Sequence, residues 1–331
     1  MQKYTYVFYH VDLDGAGVAL LSLMYSLNKK VPVRSRCCSY GSINTAVTSI
    51  LNNPDIGEII IGDLSVNKSV AEQLDKVYKS DIPVRLRDHH STALHLNQYE
   101  WALVKESDDK GVPRSGTWWL SQDTDFLSYY EEYKLLIHMI DDYDTWKWKS
   151  TGDDIPNRLN ALFNILGTDG FINYIMSNPP AQVPSELFTD EANIMIDTYF
   201  RVIEAEVSHL EARMCTANMW VTSDGQEVKL RVGIVFLSGH ISEVADLILN
   251  RHSEIDVLML ICYPFSISWR TIKNLPVSLG TVASLAVGKG GGHPKAAGVS
   301  IPRNVFSDMY TKFLESNFPN GIEFTNFEFP T

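Results

Sequence analysis

The first half of the chain repeats one arrangement, in which an apolar run ends in acidic or histidine side chains. Three of the runs are β-prone. Residues 4–9 lead into residues 10–14, residues 58–62 lead into Asp63, and residues 82–87 lead into the Asp-His-His tripeptide at 88–90. A fourth run, residues 133–140, is amphipathic and leads into the acidic cluster 141–144. Such a repeat predicts that polar groups gather where several regular elements end.

The segments between the β-prone runs have the pattern of helices. Residues 16–27 are rich in Ala, Leu and Met, and residues 69–78 carry apolar side chains at helical spacing after a candidate N-cap at Asn67. Strands that alternate with helices predict a parallel sheet covered on both faces. Ligands bind such sheets beyond the carboxyl ends of the strands, so we expect the acidic endings to form one site.

The side chains at these endings are typical of a metal site. If the chain stays extended after residue 9, alternation places His10, Asp12 and Asp14 on one side. Carboxylates and imidazoles without thiolates favour a borderline-hard divalent ion, and this set is too large for a single ion. Two ions about 4 Å apart, bridged by a carboxylate, would promote an in-line displacement at phosphorus. Mn²⁺ fits this donor set best, Mg²⁺ is second, and Zn²⁺ stays open.

In order and approximate spacing, these four motifs resemble those of the DHH phosphoesterase family. Residues 290–298, Gly-Gly-Gly-His-Pro-Lys-Ala-Ala-Gly, resemble the glycine-rich signature of the DHH-associated domain of RecJ-type exonucleases and oligoribonucleases (nano-RNases). The resemblance implies an α/β protein with an N-terminal parallel-sheet DHH domain, a smaller C-terminal α/β substrate-binding domain and a cleft between them. We expect the catalytic domain at 1–185, a helical linker at 186–215 and the substrate-binding domain at 216–331, with a charged helix at about 191–213.

The resemblance also implies a set of ligands for two metal ions. One ion would be held by His10, Asp12 and Asp63, and the other by Asp14, Asp63, His89 and an aspartate of the fourth motif, so that Asp63 bridges. In that motif we favour Asp142, with Asp144 next. The implied metal ligands are therefore His10, Asp12, Asp14, Asp63, His89, Asp142 and Asp144.

The other two residues of the tripeptide are implied to be catalytic. His90 would contact the phosphate or help to protonate the leaving oxygen. Asp88 would orient the neighbouring imidazole, since partners of this kind fix the ring of a functional histidine.

The C-terminal half contains an interval with basic residues and no acidic ones. Between Asp256 and Asp308 the basic side chains are Arg270, Lys273, Lys289, His293, Lys295 and Arg303. A local positive surface on an acidic protein attracts phosphates, and a glycine-rich loop at 288–292 lets backbone N–H groups approach them. We expect a non-scissile phosphate to be bound by Arg270, Gly290, Gly291, Gly292 and His293. A hairpin loop and a solvated face remain open as alternatives.

Overall charge bears on the length of the substrate. The net charge is −12 and the pI is about 5.2. Tight binding of long nucleic acid needs many phosphate contacts, which an acidic chain with one basic interval supplies poorly. We therefore predict a metal-dependent oligoribonuclease that releases mononucleotides from very short RNA or DNA. Alternatives are a 3′-phosphoadenosine 5′-phosphate phosphatase, a cyclic-dinucleotide phosphodiesterase, a RecJ-like single-strand exonuclease, and a nucleotide-binding module without catalysis.

Three further features bear on setting and partners. No secretory signal and no apolar run of membrane-spanning length are visible, and the four cysteines show no metal-binding spacing, which predicts a reduced cytoplasmic setting. The sequence leaves a homodimer open. Tryptophans that could stack on nucleobases are Trp101, Trp118, Trp119, Trp146 and Trp148, and Trp146 is the first to test because it follows the fourth motif.

Overall fold

The computed structural model describes residues 2–178, 180–223, 226–262, 266–285 and 290–301. These residues form two compact units whose boundary lies between Tyr199 and Phe200. The first unit contains a five-stranded sheet and the second a six-stranded sheet, so the chain is α/β as predicted. The boundaries at 185 and 215 and the cleft stay predictions. Gly288, Lys289, Arg303 and the rest of the segment after residue 301 lie outside the described residues.

The first unit alternates strands with helices along the chain. Its strands are β1 (Tyr4–Tyr9), β2 (Val33–Cys37), β3 (Ile56–Gly62), β4 (Val84–Asp88) and β5 (Ala102–Val104). Its helices are α1 (Leu13–Asn28), α2 (Ile43–Thr48), α3 (Lys68–Tyr78), α4 (Gly116–Ser121), α5 (Leu127–Glu132), α6 (Lys134–Asp144), α7 (Lys147–Thr151) and α8 (Ile155–Ser177). Helix α9 (Asp190–Glu211) crosses the unit boundary and confirms the helix expected at about 191–213. Short 3₁₀ helices lie at Ser91–Gln98, Thr124–Phe126 and Pro184–Glu186.

The sheet of the first unit is parallel, with strand order β2-β1-β3-β4-β5. Alternate residues of its central strands enter two separate apolar clusters, with Ile59 and Ile61 in one and Ile60 in the other. All three side chains are fully buried, because helices cover both faces of the sheet. The carboxyl ends of neighbouring strands β1, β3 and β4 therefore meet at one edge.

The junction between β1 and α1 differs from the extended chain expected through residues 10–14. Strand β1 ends at Tyr9, and Asp12 is the N-cap of α1, with its side chain accepting a 3.0 Å hydrogen bond from the Gly15 amide. Asp14 consequently lies in the first helical turn. The condition for alternation, a chain that stays extended, is not met here because an aspartate cap starts a helix at once. Helix α3 matches its prediction, with Asn67 accepting from the Val70 amide at 3.0 Å.

The second unit contains a mixed sheet of order β10-β11-β9-β8-β7-β6. Its strands are β6 (Cys215–Ser223), β7 (Gln226–Leu237), β8 (Val257–Cys262), β9 (Ser266–Arg270), β10 (Gly291–Gly292) and β11 (Ala296–Ser300), and its helices are α10 (Ile241–Arg251) and α11 (Leu279–Leu285). Only β7 and β8 pair in parallel among the described strands of this sheet, and α10 connects them. None of the helices in the described part of the chain combines the length and apolarity needed to cross a membrane.

Candidate metal centre

Acidic and histidine side chains from four junctions come together in the first unit. They form three overlapping groups, and within each group the potential ligand atoms lie within 4.8 Å of one another. The groups are His10, Asp12 and Asp63; Asp14, His89 and Asp144; and Asp63, Asp88, His89 and His90. Asp63 and His89 each belong to two groups. Residues from the ends of β1, β3, β4 and α6 thus form one continuous cluster.

Asp63 occupies the centre of this cluster. Its carboxyl Oδ1 lies 3.3 Å from His89 Nε2, and its Oδ2 lies 3.7 Å from His10 Nδ1. The side chain is 1% exposed, and the backbone is left-handed with φ of 54°. Aspartate tolerates this conformation better than most residues, and unfavourable backbone geometry of this kind is concentrated at functional sites. The turn after β3 therefore holds Asp63 between the two histidines.

Several buried polar atoms of the cluster lack a hydrogen-bond partner among the described residues. They are Oδ2 of Asp63, Asp88 and Asp144, and Nε2 of His89. His89 Nε2 lies 3.4 Å from Asp144 Oδ2, without the geometry of a hydrogen bond. Unpaired buried polar atoms are costly and rare. Carboxylate oxygens and imidazole nitrogens suit divalent cations such as Mn²⁺, so the donor set fits a metal centre.

The charges of the cluster disturb the protonation of its carboxyl groups. Desolvation, together with the neighbouring carboxylates, raises the pKa of Asp63 well above its ordinary value and that of Asp144 to about 8. Desolvation also opposes ionisation of Asp12, but the hydrogen bond and charge of His10 outweigh it and lower the pKa of Asp12 to about 2. The His10 Nδ1 to Asp12 Oδ2 distance is 2.5 Å. Bound cations would relieve the repulsion between these carboxylates.

Asp14 is held by the start of α4, a contact that the sequence did not reveal. Its carboxylate accepts hydrogen bonds from the amides of Gly116 at 2.7 Å and Thr117 at 2.9 Å. A Cβ at position 116 would lie 3.0 Å from Asp14 Oδ2 and 2.9 Å from the Asp63 amide nitrogen, so glycine permits this approach. Ser115 caps α4, a signal that predicts the helix start but not its distant partner.

The three aspartates of the fourth motif have different surroundings. Asp141 is fully buried and accepts from the Ser115 amide at 2.7 Å, Arg114 at 2.9 Å and Lys147 at 2.7 Å, so it fixes the start of α4. Asp142 lies 3.5 Å from Lys147 and outside the three groups, whereas Asp144 belongs to one of them. Asp141 and Asp144 are three residues apart and share a face of α6, whereas Asp142 points away from that face. The geometry therefore favours Asp144 over Asp142. This reverses the order expected from the sequence.

Asp88 and Tyr40 hold the imidazole of His90 from opposite sides. Asp88 Oδ1 lies 2.7 Å from His90 Nδ1 and also accepts from the amides of His89 and His90. Tyr40 Oη lies 2.9 Å from His90 Nε2, and the Tyr40 ring centroid is 5.2 Å from that of His10. A carboxylate on Nδ1 favours the tautomer whose Nε2 accepts from Tyr40. Tyr40 belongs to none of the motifs in the sequence. It contacts His90 because the loop between β2 and α2 brings it to the cluster.

The described part of the glycine-rich segment forms a strand and turn, in line with the hairpin alternative. Gly291 and Gly292 pair with Gly298 and Ala297 of β11, and the His293 amide donates to Ala296 at 2.8 Å. A Cβ at Gly290 would lie 2.2 Å from the Gly298 carbonyl oxygen. Close packing of strands therefore accounts for glycine at position 290 without a phosphate.

The basic side chains of this unit differ in their surroundings. Arg270 ends β9 opposite Ala296, so it lies beside the strand that follows His293, whose side chain is exposed. Burial lowers the pKa of Arg270. Lys273 is paired with Asp256, with its Nζ 2.8 Å from Oδ1. Arg270 and His293 thus lie close along the sheet, while the charge of Lys273 is partly neutralised.

Comparison with known proteins gives a relative and two crystal structures. None of the family models compared with the sequence matches it. The chain is 28% identical over 313 residues to oligoribonuclease NrnB of Bacillus subtilis (strain 168), a match that covers 91% of this chain and 74% of NrnB. Exonuclease RecJ bound to manganese has a similar fold, with a TM-score of 0.54, 13% identity and coverage of 97% of this chain and 91% of RecJ. These similarities support an assignment to the DHH phosphoesterase family.

A second structure of similar fold belongs to a longer protein. RecJ from Thermus thermophilus in complex with Mn²⁺ has a TM-score of 0.50 and 14% identity. The match covers 97% of this chain but 53% of that one. The fold described here therefore corresponds to about half of the larger RecJ.

Proposed function

We propose that this chain is a two-metal-dependent phosphodiester hydrolase that acts on short oligonucleotides and releases mononucleotides, as a nano-RNase does. The observation that carries the proposal is the overlap of three ligand groups through Asp63 and His89. A carboxylate shared between two ligand groups can bridge a pair of neighbouring ions. The similarity to oligoribonuclease NrnB supports the nuclease class.

The donor set supports the following assignment of ligands. We assign His10, Asp12 and Asp63 to one divalent ion, and Asp14, Asp63, His89 and Asp144 to the other. Mn²⁺ is our first choice and Mg²⁺ the second, since imidazole joins the carboxylates. When bound, such ions supply Lewis acidity toward a phosphoryl oxygen and activate water.

His90 is assigned the contact with the phosphate or the leaving oxygen. Its Nε2 faces the Tyr40 hydroxyl, and a substrate oxygen that replaces this hydroxyl would meet the same nitrogen. Asp88 keeps the ring in place through Nδ1. A His90 ring that carries protons on both nitrogens would donate the one on Nε2 to the leaving oxygen as the ester bond breaks.

The charge distribution supports short substrates. A net charge of −12 disfavours binding of a long phosphate backbone, and the positive charge of Lys273 is paired with Asp256. We assign Arg270 and His293, with Gly290, Gly291 and Gly292 in the segment that leads into His293, to a phosphate that is not cleaved. The homodimer that the sequence leaves open has no support and is not part of this proposal.

A length series tests the proposal. End-labelled RNA and DNA from dinucleotides to about 20-mers are incubated with the protein in Mn²⁺ and, as a control, in chelator. We expect mononucleotide release that is fastest for the shortest substrates and abolished by chelator. Equal rates at all lengths would replace the proposal with a RecJ-like exonuclease, and no metal-dependent cleavage at any length would refute a nuclease function.

A further inference from the structure

Aromatic side chains beside the metal centre form a stacked series with one open end. The Tyr143 and Trp148 ring centroids are 6.1 Å apart with planes at 13°, and those of Trp148 and Trp146 are 6.3 Å apart with planes at 23°. Trp148 is therefore the middle ring. Trp146, at the end, is 51% exposed.

The remaining tryptophans proposed from the sequence have structural partners. Trp101 and Trp119 are buried in the core, and Trp119 donates to the Lys105 carbonyl at 2.7 Å. Trp118 packs against Trp119 and lies under the guanidinium of Arg114, whose carbon is 4.4 Å from the ring centroid. Trp146 is thus the candidate that presents its indole to solvent.

The backbone at Trp146 is unfavourable for a bulky side chain. Its φ and ψ are 60° and 15°, in the left-handed region that favours glycine. Backbone hydrogen bonds hold it there, from the Trp146 amide to Tyr143 at 3.1 Å and from the Lys149 amide to Trp146 at 3.2 Å. A glycine would form this turn at lower cost, so the turn itself does not explain the indole.

The position of Trp146 links this series to the reaction site. It follows Asp144 by two residues, so their Cα atoms are at most about 8 Å apart. Asp144 Oδ2 in turn lies 3.4 Å from His89 Nε2. An aromatic surface at this place is within reach of the nucleoside attached to a phosphate at the metal centre.

We propose that Trp146, backed by Trp148 and Tyr143, is a stacking surface for a nucleobase of the substrate. The inference rests on the proposed function and adds the part of the substrate that is recognised. Each base has a flat π-face, so stacking requires a base without selecting its identity. The enzyme should accept all four bases and discriminate against an abasic nucleotide.

The test compares a short oligonucleotide with an analogue whose nucleotide beside the scissile phosphate is abasic. For the Trp146→Ala variant we expect KM for the normal substrate to rise about ten- to a hundredfold, while kcat and the abasic reaction stay close to the parent values. Trp146→Phe should restore most of the affinity. Trp220→Ala is the matched control, because Trp220 is 61% exposed on β6 and has no place in the proposed site.

Trp146→Gly separates stacking from folding, because glycine removes the indole and suits the left-handed backbone. We expect its thermal midpoint to equal or exceed that of the parent while its KM rises as in Trp146→Ala. Three results would overturn the stacking surface alone. They are a KM at the parent value in Trp146→Ala or Trp146→Gly, an equal rise in KM for the normal and abasic substrates, and a parent enzyme whose KM is the same for both substrates. A parent enzyme that cleaves neither substrate would refute the proposed function, and the stacking surface with it.

Discussion

The metal centre of the first unit and the glycine-rich strand of the second differ in how their polar groups are held. In the first unit, buried atoms of Asp63, His89 and Asp144 lack hydrogen-bond partners among the described residues. In the second, the amides of Gly290 and His293 donate to Ala283 and Ala296. The first arrangement costs stability and calls for a ligand, whereas the second is stable as a piece of sheet. A motif is therefore better evidence of binding where its polar atoms are left unpaired.

The largest expected effect on activity distinguishes Asp144 from Asp142. On our assignment, Asp144→Asn should lower kcat/KM by at least about a thousandfold, because it would remove a charged metal ligand worth several kcal/mol. Asp142→Asn, the matched control two positions earlier, should stay within about threefold, since Asp142 faces Lys147. Initial rates on a dinucleotide in saturating Mn²⁺ measure both. Equal losses would restore Asp142 as a ligand.

The second prediction concerns the glycine that approaches Asp14. Gly116→Ala should weaken Mn²⁺ binding about ten- to a hundredfold, because the new Cβ displaces the amides that orient Asp14. Gly239→Ala is the matched control, since nothing lies within 4 Å of a Cβ there. Metal titration by calorimetry compares them. Unchanged affinity in Gly116→Ala would show that α4 does not position this ligand.

The third prediction uses the raised pKa of Asp144. A carboxyl group with a folded-state pKa near 8 stabilises the metal-free protein below its unfolded pKa, about 4, and this contribution is lost as pH rises through 8. Mn²⁺ must displace that proton, so the increase in Tm on adding Mn²⁺ should grow between about pH 6 and 8.5. Thermal unfolding with and without metal measures it. A metal-induced increase that shrinks over this range would contradict the assignment.

The smallest expected effect lies in the glycine strand. Gly290→Ala should destabilise the protein by about 1–3 kcal/mol, because its Cβ would overlap the Gly298 carbonyl. Gly291→Ala, whose Cβ has nothing within 4 Å, should change stability by less than about 0.5 kcal/mol. Denaturant unfolding distinguishes them. If Gly291→Ala instead raises KM with stability unchanged, the substrate approaches this strand. The glycine-rich strand would then bind substrate as well, and it would differ less from the metal cluster of the first unit.

The sequence predicts most of the fold and the chemistry of the first unit, but little of what positions the ligands. Apolar runs ending in acids locate β1, β3 and β4, and Asn67 marks the start of α3, because these signals are local. Contacts of Gly116 with Asp14 and of Tyr40 with His90 join segments far apart in the chain, and no local pattern encodes them. The choice between Asp142 and Asp144 depends on the rotation of α6 relative to its neighbours.

The Mn²⁺ stoichiometry of Asp63→Asn tests the central claim most directly. Asparagine tolerates the left-handed backbone of position 63, so the change removes the bridging charge and leaves the turn intact. Titration followed by electron paramagnetic resonance should show about two tightly bound ions per parent chain and no more than one in the variant. Two ions bound with unchanged affinity in Asp63→Asn would contradict a centre bridged by this carboxylate.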